Sequence, residues 1–454
     1  MAPEDTRPPR HGILLFTLGL LTTITAIVSS LGAPLIPAIA DDFDIAITQA
    51  QWALTATLLT AAVATPIVGR LGAGPLRRPT ILAGLVIVTI GSILSAVEVG
   101  FVVMVLGRTM QGVGLALVPL ALAVAREVLP ASRLPSAVSM LSVAVVAGAG
   151  LGYPLTATVA QYLGVSMAYW LGAVLSAFTL LMALRFIPVS TATTRMRVDW
   201  WGALLLSLGM AGVLLAVSQG DHWGWASALT IGLAAVGVLL VVAFVIWTLR
   251  SSHPLVDLRL SVRPGVAAPN LIAFGAGLAM YTLLTLTIVM VQNTEWGLGR
   301  SIIMAGLTLL PYSIMSVTGS RFALAAARRL GPRIILPIGC AVFICSTVGL
   351  ALSHSSIVWV FIWTGVGGLG SGFTFSSLAV LIVPHIPQEE TGSAMAFNTV
   401  LRYLGFCVGS AASVALVTVY GGGEHGFVLT LLTMSSVFAL AGVGAWILTP
   451  REVR

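Results

Sequence analysis

Long apolar runs, separated by short polar or charged segments, fill nearly the whole chain. An α-helix rises ~1.5 Å per residue, so ~20 apolar residues can cross the ~30 Å hydrocarbon core of a bilayer. Some neighbouring runs could instead form one kinked helix with an interfacial turn. After a polar start over residues 1–11, the pattern predicts fourteen spanning helices at 12–38, 51–71, 79–97, 101–126, 134–162, 165–187, 200–218, 225–248, 266–292, 302–324, 333–352, 356–384, 394–417 and 427–448.

The composition supports a protein embedded in a lipid bilayer. Of 454 residues, 58% are hydrophobic and only 8% are charged, which excludes an ordinary soluble domain. The formal net charge of +7 does not predict a nucleic-acid partner, because the basic residues form no patch interleaved with aromatic residues. The three cysteines lie in apolar runs, with neither metal-ligand nor disulfide-framework spacing, and are expected to be packing residues.

The basic residues predict the orientation of the chain. All 22 are arginines, and with the N-terminus inside, 19 fall in cytosolic segments while only Arg300 falls in an outer loop. This asymmetry predicts a multi-pass protein of the cell membrane with an even number of spans and both termini cytosolic. The outer segments are acidic instead, with Asp41, Asp42 and Glu98 among their residues.

The chain also repeats itself at an offset of 257 residues. Six positions match at this offset, among them Gly148 with Gly405 and Gly152 with Gly409. Parallel repeats of this kind are a transporter architecture, with the substrate site between the halves near the midplane. The predicted organisation is a cytosolic segment (1–11), a six-helix bundle (12–187), a linker with an inserted helix pair (188–250), a second six-helix bundle (251–450) and a cytosolic tail (451–454).

The fourth predicted helix contains an arginine, Arg108, among apolar residues. A charge inside the membrane is costly, so Arg108 is expected to face a protein interior or a wet cavity. Gln111 lies on roughly the same helical face, and Gly112 and Gly114 leave room for another helix or a substrate to approach. Alternatively, Arg108 extends to the outer headgroups, or joins two helices through backbone carbonyls.

Other predicted helices contain further candidate residues. Gly148 and Gly152 form a GxxxG step that favours close packing, and Pro154 kinks the helix just beyond. Asn398 and Arg402 share one face of the thirteenth helix, as polar partners, cavity lining or structural anchors. Further residues proposed to line the cavity are Tyr153, Tyr281 and Tyr312, and residues proposed for packing are Gly405 and Gly409, although packing alone is an alternative for all of them.

Several segments resemble one protein family. LGRTMQGVGLA (106–116), AGAGLGYPLTA (147–157) and FNTVLRYLGFCVG (397–409) are similar to its fourth-, fifth- and thirteenth-helix motifs. The stretches at 198–220 and 253–260 are similar to its inserted pair and the following loop. The chain therefore resembles the major facilitator superfamily, and within it the drug:proton antiporter family with fourteen spanning helices. The resemblance implies an all-α fold of two six-helix bundles plus two inserted helices, and transport by alternating access.

Some positions depart from this family's pattern. The loop after the second helix keeps Gly69, Arg77 and Arg78, for which the resemblance implies a cytosolic latch between conformations, but Ala73 replaces the usual aspartate. Val28 stands where a membrane-embedded aspartate is common, and Tyr153 separates Gly152 from Pro154. The resemblance to antiporters is therefore weaker than the resemblance in fold.

No carboxylate falls in the middle of a predicted span, and Glu98 and Glu295 come closest, both at outer ends. These two are therefore the candidate proton carriers. We find no nucleotide-binding loop, metal-ligand cluster or catalytic nucleophile motif, so we expect neither an enzyme nor a cofactor or metal site.

The sequence thus predicts a monomeric transporter that exports small hydrophobic or amphipathic, drug-like molecules in exchange for protons. One alternative is a carrier of a lipid-like metabolite without tight proton coupling. Another is a membrane sensor or assembly partner that transports nothing. Because Arg108 and Arg402 have no mid-depth acid to pair with, neutral or anionic amphiphiles are expected to be preferred over permanent cations.

Overall fold

Long helices cross the molecule side by side in the computed structural model, which describes residues 11–130, 132–191, 198–252, 254–255, 258–261, 263, 265–330, 332–382, 385–386 and 391–448. Thirteen spans within these ranges are long and apolar enough to cross a membrane, and the 30-residue helix Leu134–Leu163 lies between two of them. The long helices are α1 (His11–Ser30), α2 (Trp52–Leu71), α3 (Arg77–Ala96), α4 (Phe101–Gly112), α5 (Leu134–Leu163), α6 (Val165–Phe186), α7 (Trp200–Trp223), α8 (Ala228–Arg250), α9 (Ala267–Gln292), α10 (Ile302–Leu330), α11 (Pro332–Leu352), α12 (Ile357–Ile382), α13 (Thr391–Val419) and α14 (Gly423–Leu448).

Two of the predicted spans are interrupted. The first continues from α1 through a 3-10 turn at Ala33–Leu35 into a short helix at Ile36–Phe43. Pro34 and Pro37 lie at the starts of these two pieces, where a missing backbone N–H costs little. The fourth span continues from α4 through a 3-10 segment at Val113–Leu117 into a helix at Val118–Val128.

The helices form two bundles with the same internal contacts. In the first bundle, α1 packs on α5 and α6, and α3 packs on α4 and α6; in the second, α9 packs on α13 and α14, and α11 packs on α12 and α14. Glycines allow α5 to approach α1 closely and α13 to approach α9 closely. A Cβ added at Gly148 would lie 2.5 Å from the Thr23 carbonyl oxygen, and one at Gly405 would lie 2.2 Å from the Phe274 carbonyl oxygen. The 257-residue repeat therefore places glycine at the same helix crossing in both bundles.

The two bundles meet along two seams. The first joins α5 to α10, and the second joins α2 to α13. We call the end of the bundles that carries Asp41 and Glu98 the outer end, after the orientation predicted from the arginines. The domain boundaries drawn from the sequence remain predictions.

The helix pair between the bundles lies beside the second seam. Helix α7 packs on both α2 and α13, and the indole N–H of Trp52 donates to Ser218 Oγ at 2.9 Å. At the other end, the Asp199 carboxylate caps α7 by accepting from the Gly202 N–H at 2.9 Å. It also accepts from the Trp247 indole at 3.0 Å and from the Leu255 N–H at 3.0 Å. One carboxylate therefore ties α7, α8 and the chain after α8 together.

Candidate substrate site

Arg108 is completely buried inside the first bundle. Its Nε donates to the Ala53 carbonyl at 2.8 Å and its Nη1 donates to the Val28 carbonyl at 3.0 Å. Gln111 accepts a further hydrogen bond from Nη1 and, through Nε2, donates to Ser92 Oγ at 3.0 Å. The guanidinium therefore links α4 directly to α1 and α2, and Gln111 extends the link to α3. This arrangement matches the alternative in which Arg108 joins helices through backbone carbonyls.

This position differs from the cavity-facing one expected from the sequence. With a side chain that is 0% exposed, Arg108 does not line the space between the bundles in this conformation. The difference arises because backbone carbonyls of α1 and α2 accept hydrogen bonds from the guanidinium, and a sequence does not show where those carbonyls lie. A Cβ at Gly32 would lie 2.6 Å from Nη2, so a larger residue there would require the guanidinium to move.

One donor of this buried cation has no acceptor. Arg108 Nη2 has no hydrogen-bond partner among the described residues, and neither does the nearby Tyr169 hydroxyl. The Tyr169 ring centroid lies 5.7 Å from Arg108 Cζ, within cation–π range. Arg108 also interacts electrostatically with Tyr281 of α9, on the other bundle.

The glycines that follow Arg108 are packing positions. A Cβ at Gly112 would lie 2.3 Å from the Thr57 carbonyl oxygen, and one at Gly114 would lie 3.2 Å from Val88 Cγ2. The Thr57 hydroxyl in turn donates to the Arg108 carbonyl at 3.0 Å. These contacts hold α4 tightly against α2 and α3.

An aromatic cluster lies where the two bundles meet. Tyr153 of α5, Tyr281 of α9, Tyr312 of α10 and Phe406 of α13 are buried within one continuous hydrophobic cluster. The rings of Tyr281 and Phe406 are 4.5 Å apart, and the Tyr312 hydroxyl donates to Ser371 Oγ at 2.6 Å. Tyr281 also interacts electrostatically with Tyr153 and Tyr312, so the three tyrosines selected from the sequence lie near one another. Phe406 was not selected, because nothing in the sequence distinguishes it from an ordinary core phenylalanine.

Arg402 lies at the edge of this aromatic cluster. Its Cζ is 5.2 Å from the Phe375 ring centroid and 5.8 Å from the Tyr403 ring centroid. The Tyr403 ring packs in turn against Phe406, at 5.6 Å between centroids. Arg402 Nε is buried without a hydrogen-bond partner among the described residues. The guanidinium is therefore held by rings and leaves donor capacity unused.

Asn398 does not join Arg402, although both lie on α13. Its side-chain amide donates to Asn270 Oδ1 at 3.1 Å and to the Pro269 carbonyl at 3.3 Å. Gly409 makes a close approach farther along the same face of α13, since its Cβ would lie 2.2 Å from the Leu278 carbonyl oxygen. These residues pack α13 on α9 inside the second bundle.

The α5–α10 seam depends on small residues. A Cβ at Gly150 would lie 2.6 Å from Ser313 Cβ, and one at Gly306 would lie 2.7 Å from Ala157 Cβ. Pro154 lies inside α5, and its Cα would be 3.2 Å from a Cβ added at Gly306. Gly152, two residues earlier, is buried. Gly148 and Gly152 were predicted from the sequence as packing residues but Gly150 was not, since only the structure shows which glycine faces the partner bundle.

Polar side chains join the bundles towards the outer end. Gln292 Nε2 donates to the Pro34 carbonyl at 3.1 Å, and the Ile303 N–H donates to Gln161 Oε1 at 3.1 Å. Gln51, fully buried at the start of α2, donates to Ser410 of α13 and contacts Thr285 of α9. Sequence analysis missed Gln51, although a polar residue at the edge of an apolar run was a visible signal. Both seams are thus closed at this end.

The predicted cytosolic latch lies within the first bundle. Arg77 forms an ion pair with Glu127 and donates from Nε to the Gly72 carbonyl at 2.9 Å. Glu127 also accepts from Ser190 at 2.9 Å, which fixes the start of the linker. Arg78 donates to the Leu184 carbonyl at 2.8 Å, while Ala73 is exposed. A Cβ at Gly69 would meet no described atom within 4 Å.

The candidate proton carriers are at the outer surface. Both Glu98 and Glu295 are exposed, and the Glu295 N–H donates to Asn293 Oδ1 at 2.9 Å. Neither carboxylate is recorded in an ion pair with another described residue. Over the described part of the chain, no group of three or more His, Cys, Asp or Glu residues could hold a metal ion.

Comparison with known proteins identifies relatives over nearly the whole chain. Residues 18–410 match the model of the Major Facilitator Superfamily. An uncharacterized MFS-type transporter of Mycobacterium tuberculosis is 24% identical over 421 residues, which are 90% of this chain and 60% of that protein. Multidrug resistance protein 3 of Bacillus subtilis is 24% identical over 374 residues, which are 82% of this chain and 71% of that protein.

The fold also matches solved transporter structures. The crystal structure of the POT family transporter PepTSo superposes with a TM-score of 0.69 at 14% identity, covering 97% of this chain and 99% of that one. At this identity the likeness concerns the fold alone. The chain spans 60% of the length of its Mycobacterium tuberculosis relative.

Proposed function

The chain belongs to the major facilitator superfamily, and we propose that it is a secondary active transporter of small hydrophobic or amphipathic, drug-like molecules. It works by alternating access, as a monomer in the cell membrane with both termini cytosolic. It exports its substrate in exchange for protons. The Bacillus subtilis relative is named a multidrug resistance protein, which supports the drug-like substrate class.

The observation that carries this proposal is the aromatic cluster shared by the two bundles. Tyr153 comes from one bundle, and Tyr281 and Tyr312 come from the other. Aromatic rings provide a large apolar surface with a polar edge, which suits amphipathic molecules. Because the cluster is built from both bundles, a rocking movement at the seams would assemble it and take it apart. A site with that property is what alternating access requires.

Transport is tested with purified protein in liposomes and a panel of radiolabelled drug-like amphiphiles. Liposomes with an acidic interior should accumulate an amphiphile faster than liposomes without a pH gradient, because protons leave as substrate enters. Tyr281→Ala should reduce this uptake by removing a ring of the shared cluster. Tyr162→Ala is the matched control, since Tyr162 is 74% exposed at the outer end of α5.

The outcomes separate the functions that the sequence left open. Uptake above that of protein-free liposomes, with no response to the pH gradient, would identify a carrier without proton coupling. Binding of amphiphiles without uptake in any condition would refute transport and favour a sensor or assembly partner. An equal loss of uptake in Tyr162→Ala and Tyr281→Ala would show that the aromatic cluster has no specific role in transport.

A further inference from the structure

We propose that Arg402 and the rings around it form a binding site for the anionic group of a flat aromatic substrate. This inference rests on the proposed transport function, because it names the substrate class of the same aromatic cluster. Arg402 would bind the acidic group, while the rings of Phe375, Tyr403 and Phe406 would contact the aromatic body.

Arg402 has unused hydrogen-bond donors. A guanidinium has five N–H donors in one plane and binds a carboxylate through two of them at once. Phe375 and Tyr403 hold the Arg402 guanidinium at 5.2 and 5.8 Å, and its interaction with the Tyr403 hydroxyl uses one donor. Nε remains without a partner among the described residues. A buried donor left unpaired is unfavourable, so an added acceptor is favoured there.

Arg402 also lies away from the ends of its helix. It is 11 residues after Thr391, the first residue of α13, which places it ~16 Å along the helix axis. Its side chain is only partly exposed, so water is partly excluded from the cation that a substrate anion would meet.

The charges around Arg402 also favour an anion. Among the described residues of the helices α9, α10, α11, α12, α13 and α14 themselves, the one acidic residue is Glu424, in the first turn of α14 at the outer end. A ligand beside Arg402 therefore meets a cation and no nearby carboxylate among the described residues. This field attracts an anion and repels a quaternary ammonium group.

The test measures binding of three probes that share one ring system. Naphthoate is anionic, naphthamide is neutral, and naphthyl trimethylammonium is permanently cationic. On purified protein, naphthoate should bind about 10- to 100-fold more tightly than naphthamide, as expected for a paired carboxylate. Naphthyl trimethylammonium should bind more weakly than both. Failure of the parent protein to bind naphthoate, or tighter binding of the cation, would overturn the proposal.

Variants assign the effect to Arg402. Arg402→Gln should remove the difference between naphthoate and naphthamide and leave naphthamide binding within about twofold. Arg321→Gln, at an exposed arginine on α10, changes the net charge equally and should keep the preference. Retention of the preference in Arg402→Gln, or its loss in Arg321→Gln, would overturn the assignment.

Two further variants and a flux measurement keep the proposal testable if Arg402→Gln does not fold. If Arg402→Gln does not fold, Arg402→Lys should keep the preference for naphthoate at reduced affinity, and Phe375→Leu should weaken naphthoate and naphthamide alike. A change of sign of the preference in either variant would contradict the inference. Flux separates the two proposals: discrimination in binding without uptake refutes transport alone, whereas uptake with no dependence on probe charge refutes the anion site alone.

Discussion

The close approach of α5 and α10 provides a sharp test of alternating access. We predict that Gly306→Ala shifts the protein towards a conformation open at the outer end. The added Cβ would lie 2.7 Å from Ala157 Cβ and 2.9 Å from the Tyr153 carbonyl oxygen. Since ordinary contacts begin near 3.4 Å, the two helices must separate by roughly 1 Å.

The size of the shift follows from the cost of overpacking. An extra methyl group in a tightly packed interface costs about 1–3 kcal/mol. Each 1.4 kcal/mol is about a factor of ten in an equilibrium constant, so the ratio of open to closed molecules should rise about 5- to 150-fold. The cost falls on the closed conformation, because Gly306 contacts the other bundle only when the seam is closed.

Gly365→Ala in α12 is the matched control. It makes the same chemical change and brings the same gain in helix propensity. Its Cβ would meet Pro311 Cβ at an ordinary 3.6 Å, within the second bundle. The control should therefore leave the conformational equilibrium unchanged.

Distances between spin labels at the outer end measure the shift. Val99→Cys and His425→Cys, one exposed position on each bundle, provide the attachment sites after the native cysteines have been replaced. Gly306→Ala should increase the population of long distances, and Gly365→Ala should not. An unchanged distribution in Gly306→Ala, or the same change in both variants, would refute the argument.

Four further predictions follow from the placement of charged residues. Arg108→Ala should abolish transport while the protein still folds, measured by flux and thermal unfolding; transport at the parent rate would make Arg108 purely structural. Replacing both Glu98 and Glu295 by glutamine should abolish pH-driven flux, and unchanged coupling would rule both out. Asp199→Ala removes three hydrogen bonds to a carboxylate and should lower the free energy of unfolding by ~2–4 kcal/mol, whereas an unchanged melting temperature would contradict this clamp. A cysteine-accessibility map should place the 185–199 segment inside, and outside labelling would refute the predicted topology.

Helices and their order could be predicted because they depend on local hydrophobicity. The predicted limits at 134–162 and 165–187 differ from Leu134–Leu163 and Val165–Phe186 by one residue at most. The breaks in the first and fourth spans were harder to predict, because a proline inside an apolar run is compatible with either a kink or a new helix. Whether a break occurs depends on packing that lies outside the run itself.

The candidate site could be predicted only in part. Tyr153, Tyr281 and Tyr312 were selected as aromatic residues within predicted spans, and the structure brings them together. The partners of Arg108 were not predictable, because they are backbone carbonyls of Val28 and Ala53, which have no side-chain signal. Interactions between distant segments are set by tertiary packing, which one sequence does not specify.

The helix pair beside the second seam has a consequence for the route of a lipid-soluble molecule. Because α7 contacts both α2 and α13, it covers that seam from the bilayer side. The inserted pair lies beside that seam, whereas Leu151 and Ile314, on α5 and α10 at the other seam, are 59% and 57% exposed. The α5–α10 seam therefore faces the bilayer on the side opposite the inserted pair, and separation of the bundles there would open a lateral route from the membrane into the space between them.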